Sequence, residues 1–191
     1  MKGVNLIFAQ SKFYGIMGKV GSGKSSLFGA ILREMPYCRG KMLRKGSVAF
    51  VEQEPVIFST TIKENIVFGS HFDSHKYLRI LGRCCLKDDL EEWKDGDETL
   101  IGERGLTLSG GQKARLALAR ALYADADIYL LDDPLSAVDA KVGRALFESL
   151  MLEIVGKKTV ILATHQIHFL SQCDSIISLE NGEIKDIRSP K

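Results

Sequence analysis

Residues 18–25 read GKVGSGKS and fit the pattern G-x-x-x-x-G-K-[ST] of a phosphate-binding loop, or P-loop. An apolar run, residues 13–17, precedes the P-loop and a helix-like segment, residues 25–35, follows it, which is the strand-loop-helix context that the motif requires. The glycines let the backbone curl so that successive N–H groups face phosphate oxygens. The predicted nucleotide-binding residues of the P-loop are Gly18, Val20, Gly21, Ser22, Gly23, Lys24, Ser25 and Ser26.

Two side chains of the P-loop have a more specific expected role. Lys24 can reach the terminal phosphates of a nucleotide, and the Ser25 hydroxyl can ligate Mg²⁺. The alternative interpretation of the same residues is a glycine-rich turn without a ligand.

Composition limits the protein classes that need consideration. With 191 residues and 45% hydrophobic content, the chain is long enough for one domain with a substantial core. Its net charge of +2 offers no electrostatic argument for a nucleic-acid partner. No run approaches the ~20 apolar residues that a membrane span needs, so work at a membrane would require another chain or segment.

The four cysteines, Cys38, Cys84, Cys85 and Cys173, have neither metal-ligand spacing nor the density of a secreted disulfide scaffold. A reducing compartment follows from this usage. The adjacent pair, Cys84 and Cys85, is interpreted as buried apolar filling rather than as a redox site.

The order of elements along the chain predicts an α/β fold. Apolar strands alternate with helical segments at both ends, whereas the middle third has few strand signals and reads as a helical insertion. Buried strands separated by helices favour a mostly parallel sheet. Strands are predicted at 4–8, 13–17, 47–51, 128–132, 159–163, 175–179 and 183–187, the last two as a hairpin, and helices at 25–35, 61–67, 73–85, 109–123, 140–155 and 167–173.

Asp132 is the second element with chemical meaning. It ends the apolar strand 128–132, at the carboxyl edge of the sheet where open α/β folds bind their ligands. Beside a P-loop, a carboxylate there can hold Mg²⁺. A strand that simply ends in a polar turn, with Asp133 and Pro134 as its stop, is the alternative.

Residues 108–112, LSGGQ, form a third element, called here the signature segment. Ser109 is a good helix N-cap, and Gly110 and Gly111 leave the first-turn N–H groups uncovered, so that a phosphate could approach closely. Gln112 completes the segment. Two glycines cost roughly 1 kcal/mol each in a helix interior, and an ordinary helix start does not need them.

Together these motifs resemble the nucleotide-binding domain of an ABC transporter, from about residue 4 to residue 187. The resemblance implies a P-loop NTPase fold with small β elements, a core of residues 1–54 and 126–191 and a helical subdomain at about 55–125. It also implies ATP and Mg²⁺ as ligands. Gln53 resembles the glutamine that touches Mg²⁺ and the attacking water, and His165 resembles the switch histidine that contacts the γ-phosphate.

The resemblance further implies partners. In the family, two such domains pack head to tail, so that the signature segment of one covers ATP in the P-loop of the other. Residues 136–139, SAVD, resemble the D-loop of that interface. The domain would lie on the cytoplasmic side of a membrane, attached to transmembrane domains that this chain does not contain.

Two features resemble exporters and one residue departs from the usual family pattern. Residues 61–66 resemble the segment that exporters place against coupling helices, and residues 102–105 resemble the exporter x-loop; ordinary surface charge is the alternative for both. Asp133 stands where the family usually has the glutamate that acts on the attacking water. This Asp, with the SAVD loop, resembles the first nucleotide domain of the multidrug-resistance-associated, or C, subfamily, and implies a site that hydrolyses ATP slowly.

Three alternatives accompany this interpretation. A regulatory domain that gates a channel or receptor would bind ATP without useful turnover, and a soluble ABC ATPase would share the nucleotide motifs. A small-molecule kinase is disfavoured because it does not account for the signature segment or Gln53. The family's adenine-stacking aromatic has no obvious counterpart here, Tyr14 lying too close to the P-loop, so the chain resembles a fragment of a longer transporter.

Overall fold

A computed structural model of the chain describes residues 1–35, 39–102 and 106–190. The chain divides into two compact units, which are discontinuous in sequence. The first unit consists of Met1–Val48, Asp127–Asp133 and Ile154–Lys191, and the second consists of Ala49–Ala126 and Pro134–Glu153. The core and subdomain boundaries predicted at residues 54, 55, 125 and 126 stay a prediction.

The strands and helices alternate as follows. The strands are β1 (Phe13–Met17), β2 (Val48–Val51), β3 (Ile128–Asp132), β4 (Thr159–Ala163), β5 (Ser175–Glu180) and β6 (Glu183–Arg188). The helices are α1 (Lys24–Leu32), α2 (Ile62–Val67), α3 (Ser74–Arg83), α4 (Lys87–Glu92), α5 (Gly110–Ala124), α6 (Ala140–Ile154) and α7 (Ile167–Leu170), with a 3-10 turn at Gly96–Glu98.

The first unit is built on strands in the order β3-β4-β1-β5-β6. β1 pairs in parallel with β4 and β5, and β3 pairs in parallel with β4, so that Asp132 lies opposite Ala163. β5 and β6 form the predicted antiparallel hairpin. The predicted fold class, an α/β P-loop NTPase with a mostly parallel sheet, is therefore confirmed. The parallel order places the carboxyl ends of β1, β3 and β4 at one edge.

Apolar side chains explain why these strands occupy the middle of the unit. All five residues of β4 are buried, as are Leu130 and Leu131 of β3. Fully burying a Leu, Ile or Val side chain stabilises a fold by about 1.5–3 kcal/mol. Leu27 and Phe28 of α1 are buried in the same unit.

The second unit is mainly helical, as the middle third of the sequence predicts. Its 15-residue helix α5 packs against α2 and α3 and buries Leu116, Leu118 and Tyr123. Arg120 of α5 ties α2 in place, because its guanidinium donates to the backbone oxygen of Asn65 at 2.9 Å and to the side-chain oxygen of Asn65 at 2.7 Å. Helical periodicity is clearest in α3, which buries Tyr77, Ile80 and Leu81 on one face.

Three predicted elements differ from the structure. Residues 4–8, predicted as a strand, are irregular chain: Ile7 is 87% exposed, and Phe8 packs edge-on against Tyr14. α1 ends at Leu32 rather than at residue 35, because Arg33 adopts a left-handed conformation (φ 65°) that closes the helix. α7 ends at Leu170 rather than at residue 173.

The described cysteines are free thiols, and Cys38 lies outside the described residues. Cys84 is buried, and burial raises the pKa of its thiol far above the ordinary range, which agrees with apolar filling. Burial also raises the pKa of Cys173 to about 12. Within the part of the chain that the structure describes, no helix has the length and hydrophobicity of a membrane span.

Candidate functional site

The P-loop connects β1 to α1 in the first unit, and its turn requires glycine at particular positions. A Cβ on Gly18 would collide with the Ser22 side chain and would lie 2.5 Å from the backbone oxygen of Leu179. Gly21 and Gly23 have φ values of 79° and 108°, which side chains rarely tolerate. The backbone therefore folds tightly around the position that a phosphate would occupy.

Lys24 is held inside this loop. Its ammonium donates to the backbone oxygen of Gly18 at 2.8 Å and to that of Lys19 at 3.2 Å, and the residue is only 8% exposed. A buried ammonium needs compensating partners, and two neutral carbonyls compensate it less well than an anion would. The predicted contact of Lys24 with a terminal phosphate agrees with this environment.

The start of α1 also fits an anion. Its N-cap residue, Gly23, provides no side-chain cap, and the first-turn amides of a helix have no partner within the helix. The hydroxyl oxygen of Ser22 is buried and has no hydrogen-bond partner among the described residues. Unsatisfied donors that converge on one small volume are what a phosphate group satisfies.

Ser25 and Asp132 meet across the first unit. The Ser25 hydroxyl donates to Asp132 Oδ2 at 2.7 Å, and Asp132 is buried at the end of β3. Mg²⁺ in nucleotide sites is held by few protein oxygens together with phosphate oxygens and water, and a hydroxyl beside a carboxylate fits this donor set. Gln53, the third predicted ligand, is an exposed residue of the second unit, two residues after β2.

Asp133 follows Asp132 directly and adopts a left-handed backbone conformation, with φ 44°. Its N–H donates to the backbone oxygen of Ala163 at 2.8 Å, and its Oδ1 accepts a hydrogen bond from the Thr164 hydroxyl at 2.9 Å. Both side chains are buried. The carboxylate at the predicted catalytic position is therefore anchored by the residue that precedes His165.

Thr164 also shapes the chain around His165. Its hydroxyl oxygen accepts from the N–H of Gln166 at 3.1 Å, which forms a turn that spans His165. His165 itself is exposed, two residues beyond the end of β4. Sequence reasoning predicted roles for His165 and Asp133, which stay predictions, and missed Thr164, although its place between a buried strand and the predicted histidine was a usable signal.

The signature segment opens α5 in the second unit. Ser109 and Gln112 form a capping box: the Ser109 hydroxyl accepts from Gln112 N at 3.2 Å, and the Gln112 side chain accepts from Ser109 N at 2.9 Å. Beside this helix start lies a cavity of about 340 Å³. It is lined by Ser109, Gly110, Gly111 and Arg115 of α5 and by Val138 and Asp139 of the predicted D-loop.

Two glycines at this helix start are not explained by packing. A Cβ on Gly110 would lie 3.5 Å from the Ala137 side chain, and a Cβ on Gly111 would lie 3.4 Å from the Ala137 backbone oxygen. Neither distance requires the backbone to move far. A functional reason for bare backbone at Gly110 and Gly111 thus agrees with the structure.

Asp89 of α4 is a second residue that sequence reasoning missed. It is buried, and its Oδ1 accepts from Gln112 Nε2 at 2.8 Å and from Arg115 Nη2 at 2.9 Å. In the sequence, Asp89 is one acid among several between residues 87 and 98, and no spacing distinguishes it.

Comparison with known proteins identifies the family. The family model described as ABC transporter matches residues 1–136, which include the P-loop, the signature segment and Asp132. The chain belongs to the ABC transporter family. Membership implies that it binds ATP, and ATP hydrolysis is the activity expected of such a domain.

Relatives that resemble this chain include C-family ABC transporters from animals, plants and Dictyostelium discoideum. The chain is 47% identical to ATP-binding cassette sub-family C member 4 of Mus musculus over 96% of its length, which is 14% of that protein. It is 50% identical to ABC transporter C family member 13 of Oryza sativa subsp. indica, over 96% of this chain and 12% of that one. It is 46% identical to ABC transporter C family member 12 of Dictyostelium discoideum, over 96% of this chain and 14% of that protein.

This ABC chain therefore spans about one seventh or less of the curated relatives quoted above. The segment 61–66 comprises the N-cap Thr61 and most of α2, and Thr61 and Glu64 form a capping box. Its resemblance to the exporter segment stays a prediction. Of the predicted x-loop, residues 103–105 lie outside the described residues.

Proposed function

We propose that this chain is the nucleotide-binding domain of a C-family ABC exporter, that it binds ATP with Mg²⁺, and that it hydrolyses this ATP slowly. The observation that carries the proposal is the 2.7 Å hydrogen bond between the Ser25 hydroxyl and Asp132. It brings the last residue of the P-loop to the carboxylate that ends β3. A glycine-rich turn without a ligand would not need this pairing across 107 residues.

The P-loop residues bind the phosphates. The bare backbone of residues 18–25 offers N–H donors, and Lys24 exchanges its two carbonyl partners for the terminal phosphate oxygens. Ser25 and Asp132 would hold Mg²⁺, and Gln53 is the third ligand in this proposal. When bound, Mg²⁺ would neutralise phosphate charge and so make the terminal phosphorus more susceptible to attack.

Asp133 orients the attacking water, and His165 contacts the γ-phosphate. Aspartate places its carboxylate about 1.5 Å, one C–C bond, further back than glutamate would. The hydrogen bond from Thr164 occupies one of the Asp133 oxygens and holds the side chain near β4. A misplacement of ~1 Å can lower a rate about a hundredfold, so both features support slow turnover at this site.

The signature segment is the second half-site of the proposal, and it serves a partner domain. Ser109, Gly110 and Gly111 line an open cavity together with the predicted D-loop residues Val138 and Asp139. A second nucleotide-binding domain would place its own ATP against this helix start. The proposal therefore assigns the chain two half-sites, its own P-loop and a signature segment for its partner.

Attachment to transmembrane domains, on the cytoplasmic side of a membrane, completes the proposal. The similarity to C-family transporters supports it, and so do the exporter-like residues 61–66. ATP binding and hydrolysis would then be coupled to transport of a substrate that the membrane domains select.

One observation favours a second candidate function. Asp133 is short, buried and anchored, and a site that holds ATP without useful turnover would suit a regulatory domain that gates a channel or receptor. This candidate shares the P-loop chemistry and differs only in the rate of the chemical step.

Single-turnover hydrolysis of ATP by the assembled protein tests the proposal. Asp133→Glu extends the carboxylate towards the γ-phosphate, and we expect the rate at this site to rise at least about tenfold, within the range that ~1 Å of repositioning allows. Equilibrium binding of ATP, measured in parallel, should stay unchanged because Asp133 acts on water and not on the phosphates.

Lys24→Ala is the control for the site itself. It should weaken ATP binding at least about tenfold in either Asp133 background. A rate that does not respond to Asp133→Glu would contradict the slow-site proposal, whereas ATP affinity that survives Lys24→Ala would contradict the assignment of the P-loop.

A further inference from the structure

Asp89 differs from the other acids of its segment. The short helix α4, Lys87–Glu92, also carries Asp88, Glu91 and Glu92, and all three are exposed. Asp89 alone is buried, at 8% exposure. Burying a carboxylate costs free energy unless it is paired and hydrogen-bonded, so the role of Asp89 depends on the partners that it contacts.

The partners of Asp89 lie in the first two turns of α5. Arg115 Nη2 is 2.9 Å from Asp89 Oδ1 and 2.9 Å from Asp89 Oδ2, and Arg115 Nη1 donates to the Cys85 backbone oxygen at 3.1 Å. Gln112 Nε2 donates to Asp89 Oδ1 at 2.8 Å. A buried ion pair is weak evidence of a stabilising role, because desolvation offsets much of its attraction. The bond to Gln112 suggests a different role.

The Gln112 side chain has two contacts of opposite kind. Its oxygen accepts from the Ser109 N–H, which closes the capping box, and its nitrogen donates to Asp89. A flipped amide would aim its NH₂ group at the Ser109 N–H and would leave Asp89 facing an oxygen. Asp89 therefore selects the amide orientation in which the capping box can form.

The capping box of α2 shows why such an orienting partner is needed at α5. There, Glu64 occupies the third helical position and accepts from the Thr61 N–H at 3.1 Å. A carboxylate has two equivalent oxygens and presents an acceptor in either orientation. Gln112 lacks this symmetry, so the box at α5 depends on a further residue.

The capping box of α5 also fixes the orientation of the Ser109 hydroxyl. Its oxygen accepts from Gln112 N, which leaves its single proton free to point away from the helix, towards the cavity beside residues 109–111. A hydroxyl in this state is a donor for an incoming anion.

We propose that Asp89 is a positioning residue for the signature segment, acting through the Gln112 amide to hold Ser109 ready for the phosphate of the partner domain's ATP. The consequence for that phosphate rests on the proposed function. The orienting effect of Asp89 on the capping box does not, and it can be measured on this chain alone.

Amide hydrogen exchange of the full chain, followed residue by residue by NMR, measures the orienting effect. The double variant Asp89→Leu with Arg115→Met removes the ion pair without leaving one buried charge unpaired. Exchange at the Ser109 and Gln112 amides should become about fivefold faster, the size of one lost helix cap. The Thr61 and Glu64 amides of α2 should keep their rates.

A third substitution gives a specific rescue. Gln112→Glu in the same double variant supplies a symmetric acceptor, as Glu64 does in α2, and should return the Ser109 amide to slow exchange. Asp88→Asn, at an exposed acid on the same helix, is the matched control and should change none of these rates.

Amide exchange is also measured for the milder variant Asp89→Asn, which tests the role of Asp89 if the double variant does not fold. Asparagine keeps one accepting oxygen but loses the charge that pairs with Arg115 and strengthens the bond from Gln112. Exchange at Ser109 and Gln112 should therefore rise about twofold, less than for a lost cap. Unchanged exchange at these two amides overturns the proposal. Equal acceleration at the α2 amides, or failure of Gln112→Glu to rescue, also overturns it.

Steady-state ATP hydrolysis by the assembled transporter tests the functional consequence. Asp89→Asn should lower kcat at the partner's site about twofold and leave KM unchanged, in line with its effect on the cap. Gly111→Asp, which places a carboxylate where the phosphate would bind, should abolish turnover there. If Gly111→Asp has no effect, the proposed function of the signature segment fails; if only Asp89→Asn has no effect, the role of Asp89 in turnover is overturned.

Discussion

The two glycine-rich helix starts, one in each unit, are built in opposite ways. α1 begins after the P-loop with Gly23 as its N-cap and no side-chain cap. α5 begins with Ser109, and its capping box with Gln112 satisfies two of its donors from within the chain. At α1 the glycines are required by the backbone, whereas at α5 an alanine side chain would find room.

This difference indicates two kinds of anion site. At the start of α1, the buried Lys24 ammonium donates to two neutral carbonyl oxygens, and the buried Ser22 hydroxyl has no hydrogen-bond partner within the described residues. The start of α5 is complete as a helix and leaves only a local patch of backbone and one hydroxyl to an outside group. The first arrangement suits tight binding, and the second suits a brief contact with a nucleotide that another domain holds.

Removing the charge at α1 should have the largest effect. Lys24→Ala should weaken ATP binding at least about tenfold, since hydrogen bonds to charged groups contribute about 1.5–3 kcal/mol. Isothermal titration measures the change. The matched control is Lys19→Ala in the same loop, because Lys19 is exposed and only its backbone oxygen contacts Lys24. Equal losses in both variants would contradict a specific role for Lys24.

The next effect concerns the fold of the P-loop. Gly18→Ala should lower the free energy of unfolding by about 1–3 kcal/mol, the usual cost of inserting a group where there is no space. Gly21→Ala separates contact from conformation, because a Cβ there meets no atom within 4 Å and only the φ of 79° opposes it. Urea denaturation should therefore show Gly18→Ala as the less stable variant, and the reverse order would contradict the close contact with Leu179.

The smallest expected change in stability is at Gly110, at the start of α5. Gly110→Ala should leave the protein as stable or raise the free energy of unfolding by up to about 1 kcal/mol, because alanine is the better helix former. Gly143→Ala, inside α6 with no atom near its Cβ position, is the reference for propensity alone.

The two variants should differ in function. Gly110→Ala should slow ATP turnover in the assembled transporter, whereas Gly143→Ala should not. A destabilised Gly110→Ala protein would mean that this glycine serves the fold and not a ligand.

The fold class could be predicted from the sequence because each strand and helix is a contiguous pattern. β1, β3 and β4 are apolar runs, and the helical periodicity of α5 is clear over four turns. Predictions were wrong at residues 4–8 and at the ends of α1 and α7. Residues 4–8 have strand-like composition but remain irregular, because strand formation depends on distant partners, and α1 ends early because Arg33 adopts a left-handed conformation that composition does not indicate.

The residues of the candidate site also fall into those that the sequence predicts and those that it does not. Lys24, Asp132 and Ser109 stand in motifs whose spacing is dictated by local geometry, so a single sequence suffices to find them. The roles argued for Thr164 and Asp89 depend on hydrogen bonds to residues 31 and 23 positions away. The place of Thr164 between a buried strand and the predicted histidine was a usable signal, whereas no local pattern distinguishes Asp89 within its acidic segment.

The sequence by itself therefore determined the class of the sheet, the phosphate-binding chemistry of the P-loop and the family, since all three depend on short runs of residues. Only the tertiary structure decided which acid of α4 is buried, that Thr164 anchors Asp133, and that one helix start is open while the other is capped. These outcomes depend on which distant side chains meet when the strands and helices pack. The hydrogen bonds between these side chains do not correspond to any periodic pattern in the sequence.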